Sequence, residues 1–323
     1  MDDYIRARVI WPDPLVVYSA CSPAAPVTAA SLLRERLRHR RVHFLILLCW
    51  TAEQIPYFEG IEKFVHEGKE ISELHQYTIM CNTVEETARF RNAGIPSIFM
   101  NHNVFVDEAL YRPLTIEKKF DAVYNATLQP WKRHDLCAKI GQVAFIYHSG
   151  PNTLEAYKMI GESIPGARFM NAERSTEPHG HLMPEQVNQI LNEAHCGLCL
   201  SAAEGAMHSS IEYLLAGIPV VTTPALGGRD FFFEPEFSST VEPDRTAVAE
   251  AVEHFKLAGL DPLQIRTATL RRVYSERERF FNFINGLLRA EGERRDIRDE
   301  WESIFCNKLL GWEPLDVFLS HLH

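Results

Sequence analysis

The chain has 323 residues, 46% of them hydrophobic, and a formal net charge of −10, enough for two ordinary domains or one large one with a sizeable core. The acidic balance excludes a dedicated nucleic-acid binder, whose binding domain would be basic. Seven cysteines at irregular spacing exclude a disulfide framework, and the longest apolar run, 42–50 with His43 inside it, falls far short of the roughly 20 residues of a membrane span.

The start, MDDYIRARVIWPDP, has no apolar signal-type core, so a soluble, cytoplasmic chain is expected. Short β-rich runs then alternate with helical patterns. Strands are predicted at 15–20, 43–50, 77–82, 97–101, 120–126, 143–149, 167–171, 197–201 and 219–223. Helices are predicted at 27–41, 83–93, 131–140, 152–161, 184–194, 208–216 and 245–258, and the segment from Arg266 to Phe305 reads as long, charged, amphipathic helix. Strand–helix alternation of this kind is α/β architecture with parallel sheets. Tyr111-Arg112-Pro113 and the polar 115–119 stretch break the pattern, which places domains at 1–113 and 114–262, with a helical region at 263–323.

Helix 31–41, SLLRERLRHRR, holds five arginines and one glutamate. It reads as a solvated face or, alternatively, as peripheral contact with an acidic membrane surface or acceptor. Cys196-x-x-Cys199 lies along a strand, where residues three apart face opposite sides, and His179-Gly180-His181 has no accompanying carboxylate–histidine motif. No metal site and no cofactor is expected from either.

The informative stretch is Glu204 to Val221, EGAMHSSIEYLLAGIPVV. Gly197 to Ser201 is a strand, 202–205 the loop after it, and a helix follows from His208. Gly217 is placed to end that helix and Pro219 prevents its continuation. A loop of this kind lies at the carboxyl edge of a parallel sheet, where α/β folds bind ligands, and the helix N-terminus suits a phosphate. Glu204 in the loop and Glu212 inside the helix are two carboxylates for hydroxyls. A pair of such carboxylates flanking a phosphate site fits a nucleotide-sugar.

This stretch resembles the E-x7-E motif of retaining glycosyltransferases of the GT-B fold, glycosyltransferase family 4 in particular. Ser201, Glu204, Gly205, Glu212, Gly217, Pro219, Val220 and Val221 match its pattern, and Gly227-Gly228 matches the family's later Gly-Gly. Residues 120–136, FDAVYNATLQPWKRHDL, resemble the opening of the family's C-terminal domain, where an Arg and a Lys hold the donor diphosphate. Lys132 stands at the Lys, and Thr127 replaces the Arg. Residues 101–113 resemble the family's Asn-Gly-Val-Asp…Phe-x-Pro hinge, with Asn103 and Pro113 matching.

The resemblance implies two Rossmann-like domains facing a cleft, the N-terminal one short and on the acceptor side. The C-terminal domain would hold the donor, and the helical region would cross back to the N-terminal domain. It implies transfer of a sugar with retention of configuration, without a metal, to a glycan, lipid or small-molecule acceptor. Lys132 would stabilise the leaving diphosphate, Glu204 would orient sugar hydroxyls and Glu212 would hold the ribose. Gly205, Ala206, Met207, His208, Thr127 and Arg133 would line the donor. Ala206-Met207 departs from the family's Phe-Gly, no glycine-rich loop follows the first strand, and residues 21–26 stand in its place. The departures keep two rivals in view: a non-catalytic nucleotide-sugar-binding or scaffolding subunit, and a sugar-nucleotide epimerase.

Overall fold

A computed structural model describes residues 4–21, 28–148, 150, 152–305 and 313–322. The chain divides into two compact units, Met1–Val106 with Val273–His323, and Asp107–Arg272. The helical C-terminus therefore groups with the N-terminal segment. Residues 22–26, the stand-in for a glycine-rich loop, lie outside the described residues.

The first unit begins with β1 (Tyr4–Ile5) and a hairpin of β2 (Ala7–Pro12) and β3 (Leu15–Cys21). Strands β4 (Val42–Leu48), β5 (His75–Cys81) and β6 (Ser97–Phe99) follow β3 in parallel, giving the order β2-β3-β4-β5-β6. The crossovers are α1 (Thr28–Leu33), α2 (Ile55–Ile71) and α3 (Val84–Asn92). Val17, Phe44, Ile46, Tyr77 and Ile79 join Ile61, Phe64 and Phe90 of α2 and α3 in one core. Residues of the opposite parity also are buried, as expected for parallel strands covered on both faces. On that side Tyr18 packs edge-on against Phe105 and Phe305, and Phe105 against Phe280.

Two sequence expectations fail in this unit. Helix α2 falls where no element was assigned. Its buried residues Tyr57, Ile61, Phe64, Val65 and Gly68 keep helical spacing, but charged residues between them dilute the pattern. Of the helix predicted over 27–41, Thr28–Leu33 forms, and the arginine-rich remainder is turns. Arg34, Arg40 and Arg41 have partners distant in sequence. Arg34 lies over the Phe64 ring, Arg40 donates to the carbonyls of Pro12 and Leu322, and Arg41 pairs with Glu291 at 3.1 Å. Arg36, Arg38 and Arg41 remain exposed.

The second unit is a six-stranded parallel sheet of β7 (Phe120–Asn125), β8 (Val143–Ile146), β9 (Ala167–Phe169), β10 (Ala194–Cys199), β11 (Val220–Thr222) and β12 (Ser238–Thr240). Its helices are α4 (Thr153–Ser163), α5 (Met170–Arg174), α6 (Pro184–Asn192), α7 (His208–Leu215) and α8 (Arg245–Ala258). The strand order is β12-β11-β10-β7-β8-β9. The chain thus winds outward from β7 through β8 and β9, then returns to lay β10 on the other side of β7. The β7/β10 junction is the topological switch point, and the crevice beyond its carboxyl ends is where open α/β sheets bind ligands.

The helix predicted over 131–140 is a pair of 3-10 turns, Pro130–Lys132 and His134–Cys137, separated by Arg133 in left-handed conformation (φ 53°, ψ 46°). Helix α9 (Pro262–Ala290) begins in this unit and ends in the first, followed by α10 (Ile297–Ile304), β13 (Glu313–Pro314), which pairs with β1, and α11 (Leu315–Ser320). No helix among the described residues is long and apolar enough to cross a membrane.

Candidate nucleotide-sugar site

The carboxylate-bearing helix α7 is seated by small and aromatic residues acting together. A side chain at Gly197 would place its Cβ 2.3 Å from the Tyr213 ring, so only glycine lets Tyr213 lie across β10. The Tyr213 hydroxyl then accepts from Asn125 N at 2.7 Å, and Ser209 Oγ donates to Asn125 O at 2.9 Å. Both bonds tie α7 to the end of β7. At the other terminus Gly217 takes φ 77°, with Ile218 N donating to Tyr213 O and Gly217 N to Leu214 O, each at 3.1 Å. That is the paired C-cap expected of glycine just past a helix.

Loop 202–205 is held as an extension of the sheet. Glu204 N donates to Leu226 O at 3.0 Å, Leu226 N to Ala202 O at 2.9 Å, and Gly228 N to Gly205 O at 2.7 Å. Beneath it the fully buried Arg229 donates to Ser201 O and Thr222 Oγ1, both at 2.6 Å, and to Asp230 at 2.7 Å. A buried guanidinium satisfied this way fixes loop backbones rather than offering charge to a ligand. The sequence reading stopped at Gly227-Gly228 and missed this residue.

Lys132 and Glu204 meet at the switch point. The Lys132 ammonium is ion-paired with Glu204 Oε1, and both side chains are buried. Tyr124 Oη donates to Lys132 O at 2.7 Å, which holds the 3-10 turn against the end of β7. Next to it, burial and then the Lys132 charge hold His134 down at about 3, so its imidazole is neutral. Arg133 faces away from the pair. Its guanidinium donates to Leu200 O and, at 2.7 Å, to Thr223 Oγ1, so it braces the ends of β10 and β11. The left-handed break between the two turns separates the neighbouring cations in this way. Thr127 is half-buried in the turn after β7.

Glu212 is buried, and burial pushes its carboxyl up to about 7, opposed by hydrogen bonds from Tyr111 and Asn125. The Asn125 contact is long, 3.4 Å. Neither Tyr111 nor Asn125 was singled out from the sequence. Tyr111 stands 101 positions from Glu212, and only its place in the Phe-x-Pro hinge marked it.

Gly205, Ala206 and Met207 are buried between the two glutamates, and His208 is the partly exposed first residue of α7. Met207, standing where the resembled motif has glycine, keeps a positive φ of 48°, a conformation glycine adopts without strain and methionine does not. Cys196 and Cys199 are both buried, and burial raises both thiols, which is the state of inert core cysteines. His179 contacts Tyr147 Oη through Nδ1 at 2.6 Å, and the His181 ring stacks on His148. Among the described residues no group of three or more His, Cys, Asp or Glu side chains is arranged to hold a metal ion.

No protein-family model and no curated protein matches the chain. Solved structures do. Sucrose-phosphate synthase of Thermosynechococcus elongatus aligns with a TM-score of 0.60 and 16% identity, over 87% of this chain and 74% of that one. TarM aligns with a TM-score of 0.57 and 15% identity over 83% of this chain and 54% of its own, and a point mutant of S. aureus TarM solved with fondaparinux, alpha-GlcNAc-glycerol and UDP is also among the matches. Anabaena HepE, solved with UDP and glucose, aligns with a TM-score of 0.52 and 11% identity over 84% of this chain and 99% of its own. These likenesses identify the architecture: the chain has the GT-B fold, built from two Rossmann-like units.

Proposed function

We propose that this protein is a glycosyltransferase that moves a sugar from a nucleotide-sugar to a glycan, lipid or small-molecule acceptor, with retention of configuration. The observation that carries this reading is the convergence of Lys132, Glu204 and Glu212 at the β7/β10 switch point of a GT-B unit. An ammonium has three donors and Glu204 engages one. The others suit a departing diphosphate, whose developing charge a preorganised cation stabilises in a water-poor site. Glu204 keeps the ammonium aimed and accepts from sugar hydroxyls. Glu212, one helical turn deeper, accepts from the ribose. Thr127 adds a hydroxyl but no charge, so Lys132 carries the electrostatic role alone on this segment.

Glu204→Gln tests the division of roles. The amide still accepts a hydrogen bond but no longer balances Lys132, so turnover of the matched nucleotide-sugar should fall by ~10²-fold, while nucleoside diphosphate affinity changes less than ~5-fold. Product analysis against a panel of nucleotide-sugars, with slow donor hydrolysis in the absence of acceptor, separates a transferase from an epimerase. Binding without any turnover in wild type would mark a scaffolding subunit.

Transfer is assigned to side chains and backbone and uses no metal in this reading. Activity should therefore persist after treatment with a chelator. Loss with rescue by manganese or magnesium would overturn that part of the assignment.

A further inference from the structure

Position 207 breaks two local rules at once, and it lies between Glu204 and Glu212. Met207 takes φ 48° and ψ 92°. A positive φ is glycine's region, and that ψ falls outside even the small left-handed basin that other residues enter. Arg133, by contrast, sits inside that basin at φ 53° and ψ 46°. Met207 is also the N-cap residue of α7, and its side chain makes no capping bond, where serine, threonine, aspartate or asparagine would stabilise the helix start. The chain on both sides imposes this conformation. Before it, Glu204 N donates to Leu226 O at 3.0 Å and Gly228 N to Gly205 O at 2.7 Å. After it, Ser210 N donates to Met207 O at 2.9 Å, Ser210 Oγ to Arg229 O at 3.1 Å and Ser209 Oγ to Asn125 O at 2.9 Å. With both flanks tied, the backbone at 207 has no room to relax, and glycine would occupy it with less strain than methionine.

Residues held in strained conformations persist where the surroundings over-determine them, and they concentrate at ligand sites. Here the methionine is retained for its side chain, which is only 8% exposed. We infer that Met207 is a specificity-determining residue: its side chain forms an apolar wall of the donor-sugar subsite, beside the Lys132–Glu204 pair, and selects among sugars by volume. This rests on the reading of that pair as the donor site. Methionine is unbranched, polarisable and apolar, so it packs against the C–H face of a sugar ring and leaves the hydroxyls to Glu204. A wall of this kind discriminates by size, and one methylene too many or too few in an apolar pocket changes relative kcat/KM by about 10–200-fold. The nucleoside is assigned to Glu212, so its recognition should be indifferent to the residue at 207.

The test is release of nucleoside diphosphate by the full chain from donors that share a nucleotide and differ in sugar: UDP-glucose, UDP-galactose, UDP-N-acetylglucosamine and UDP-glucuronate in one set, GDP-mannose and GDP-fucose in another. Wild type is compared with Met207→Leu, Met207→Ala and Met207→Gly. In wild type one sugar should lead its set by more than ~10-fold in kcat/KM, and leucine should keep that lead. Alanine and glycine should reduce it by ~10-fold or more, while calorimetric affinity for the free nucleoside diphosphate stays within ~3-fold of wild type. Met207→Gly should also melt above Met207→Ala, because alanine keeps the strained φ. The reverse order of melting would deny the strain on which the inference stands. An unchanged sugar preference in the alanine and glycine variants, whatever their melting temperatures, would make Met207 a packing residue and overturn the inference while leaving the transferase reading intact. Loss of nucleoside diphosphate affinity with the preference preserved would overturn it too, by placing Met207 against the nucleotide, and so would a wild type that treats all sugars on one nucleotide alike. If wild type binds no nucleoside diphosphate and splits no donor, the donor-site reading itself falls and takes this inference with it.

Discussion

Replacing Lys132 with alanine should lower transferase turnover by about 10²–10³-fold, the usual cost of removing an electrostatic donor from a developing anion. The structure adds a reason for this to exceed the effect of any neighbouring change. Lys132 is buried against Glu204, so the substitution removes the cation and also leaves a buried carboxylate without its counter-charge. Breaking a buried pair costs about 3–5 kcal/mol of stability in general, and a Glu204 side chain without its partner is no longer held in place for sugar hydroxyls. Lys132→Met paired with Glu204→Gln separates the two effects. The double variant should regain thermal stability and remain inactive. Arg133→Ala should instead act mainly on stability, because its guanidinium is spent on Leu200 O and Thr223 Oγ1. Steady-state kinetics with thermal melts on these variants decide the matter. Near-normal turnover in Lys132→Ala, with collapse in Arg133→Ala, would transfer the diphosphate role to Arg133.

Glu212→Ala should weaken nucleoside diphosphate binding by about 1.5–3 kcal/mol, the range for hydrogen bonds to a charged group, or roughly 10–150-fold in Kd. Its pH dependence runs in opposite directions for folding and for binding. The folded carboxyl sits near 7, raised by burial above its ordinary value of 4.5. Its contribution to stability is fully present below about pH 4.5 and is lost as pH rises through about 7, where the buried group must ionise. Binding needs the ionised form, so affinity should climb over the same interval in which stability falls. Glu212→Gln should consequently melt higher than wild type at pH 8, and most of the difference should be gone at pH 5. Melts at the two pH values, beside calorimetry at pH 8, check both halves. A variant with unchanged affinity would remove Glu212 from the site.

The GT-B reading and the switch-point residues were legible because local grammar carried them. The β10–loop–α7–β11 unit shows a strand, a loop glutamate, an eight-residue helix and a Gly-x-Pro stop, all within 28 residues of one another, and each feature acts on its sequence neighbours. Lys132 was legible by its place in the stretch after β7. The run of arginines over 34–41 was misleading for the converse reason. Its charges read as one helical face, whereas Phe64, Glu67, Pro12, Glu291 and Leu322, none of them local, bend it into turns. Helix α2 was overlooked because a helix of mixed charge gains its stability from the sheet it covers rather than from its own pattern.

Sequence alone sufficed for whatever depends on nearest neighbours along the chain: the alternation of strands and helices, the glycine cap at Gly217, and the placing of Glu204 in a loop and Glu212 inside the helix after it. Tertiary packing was needed wherever a side chain's chemistry is set by a partner remote in sequence. It made Lys132 and Glu204 a buried pair and turned Arg133 and Arg229 into braces for loop backbones. It brought the Tyr111 hydroxyl and the Asn125 amide to Glu212 and left that carboxyl near neutrality. The physical reason is that solvation and Coulomb interactions fall off with distance through space, which the spacing of residues along a chain does not encode until the sheet has folded.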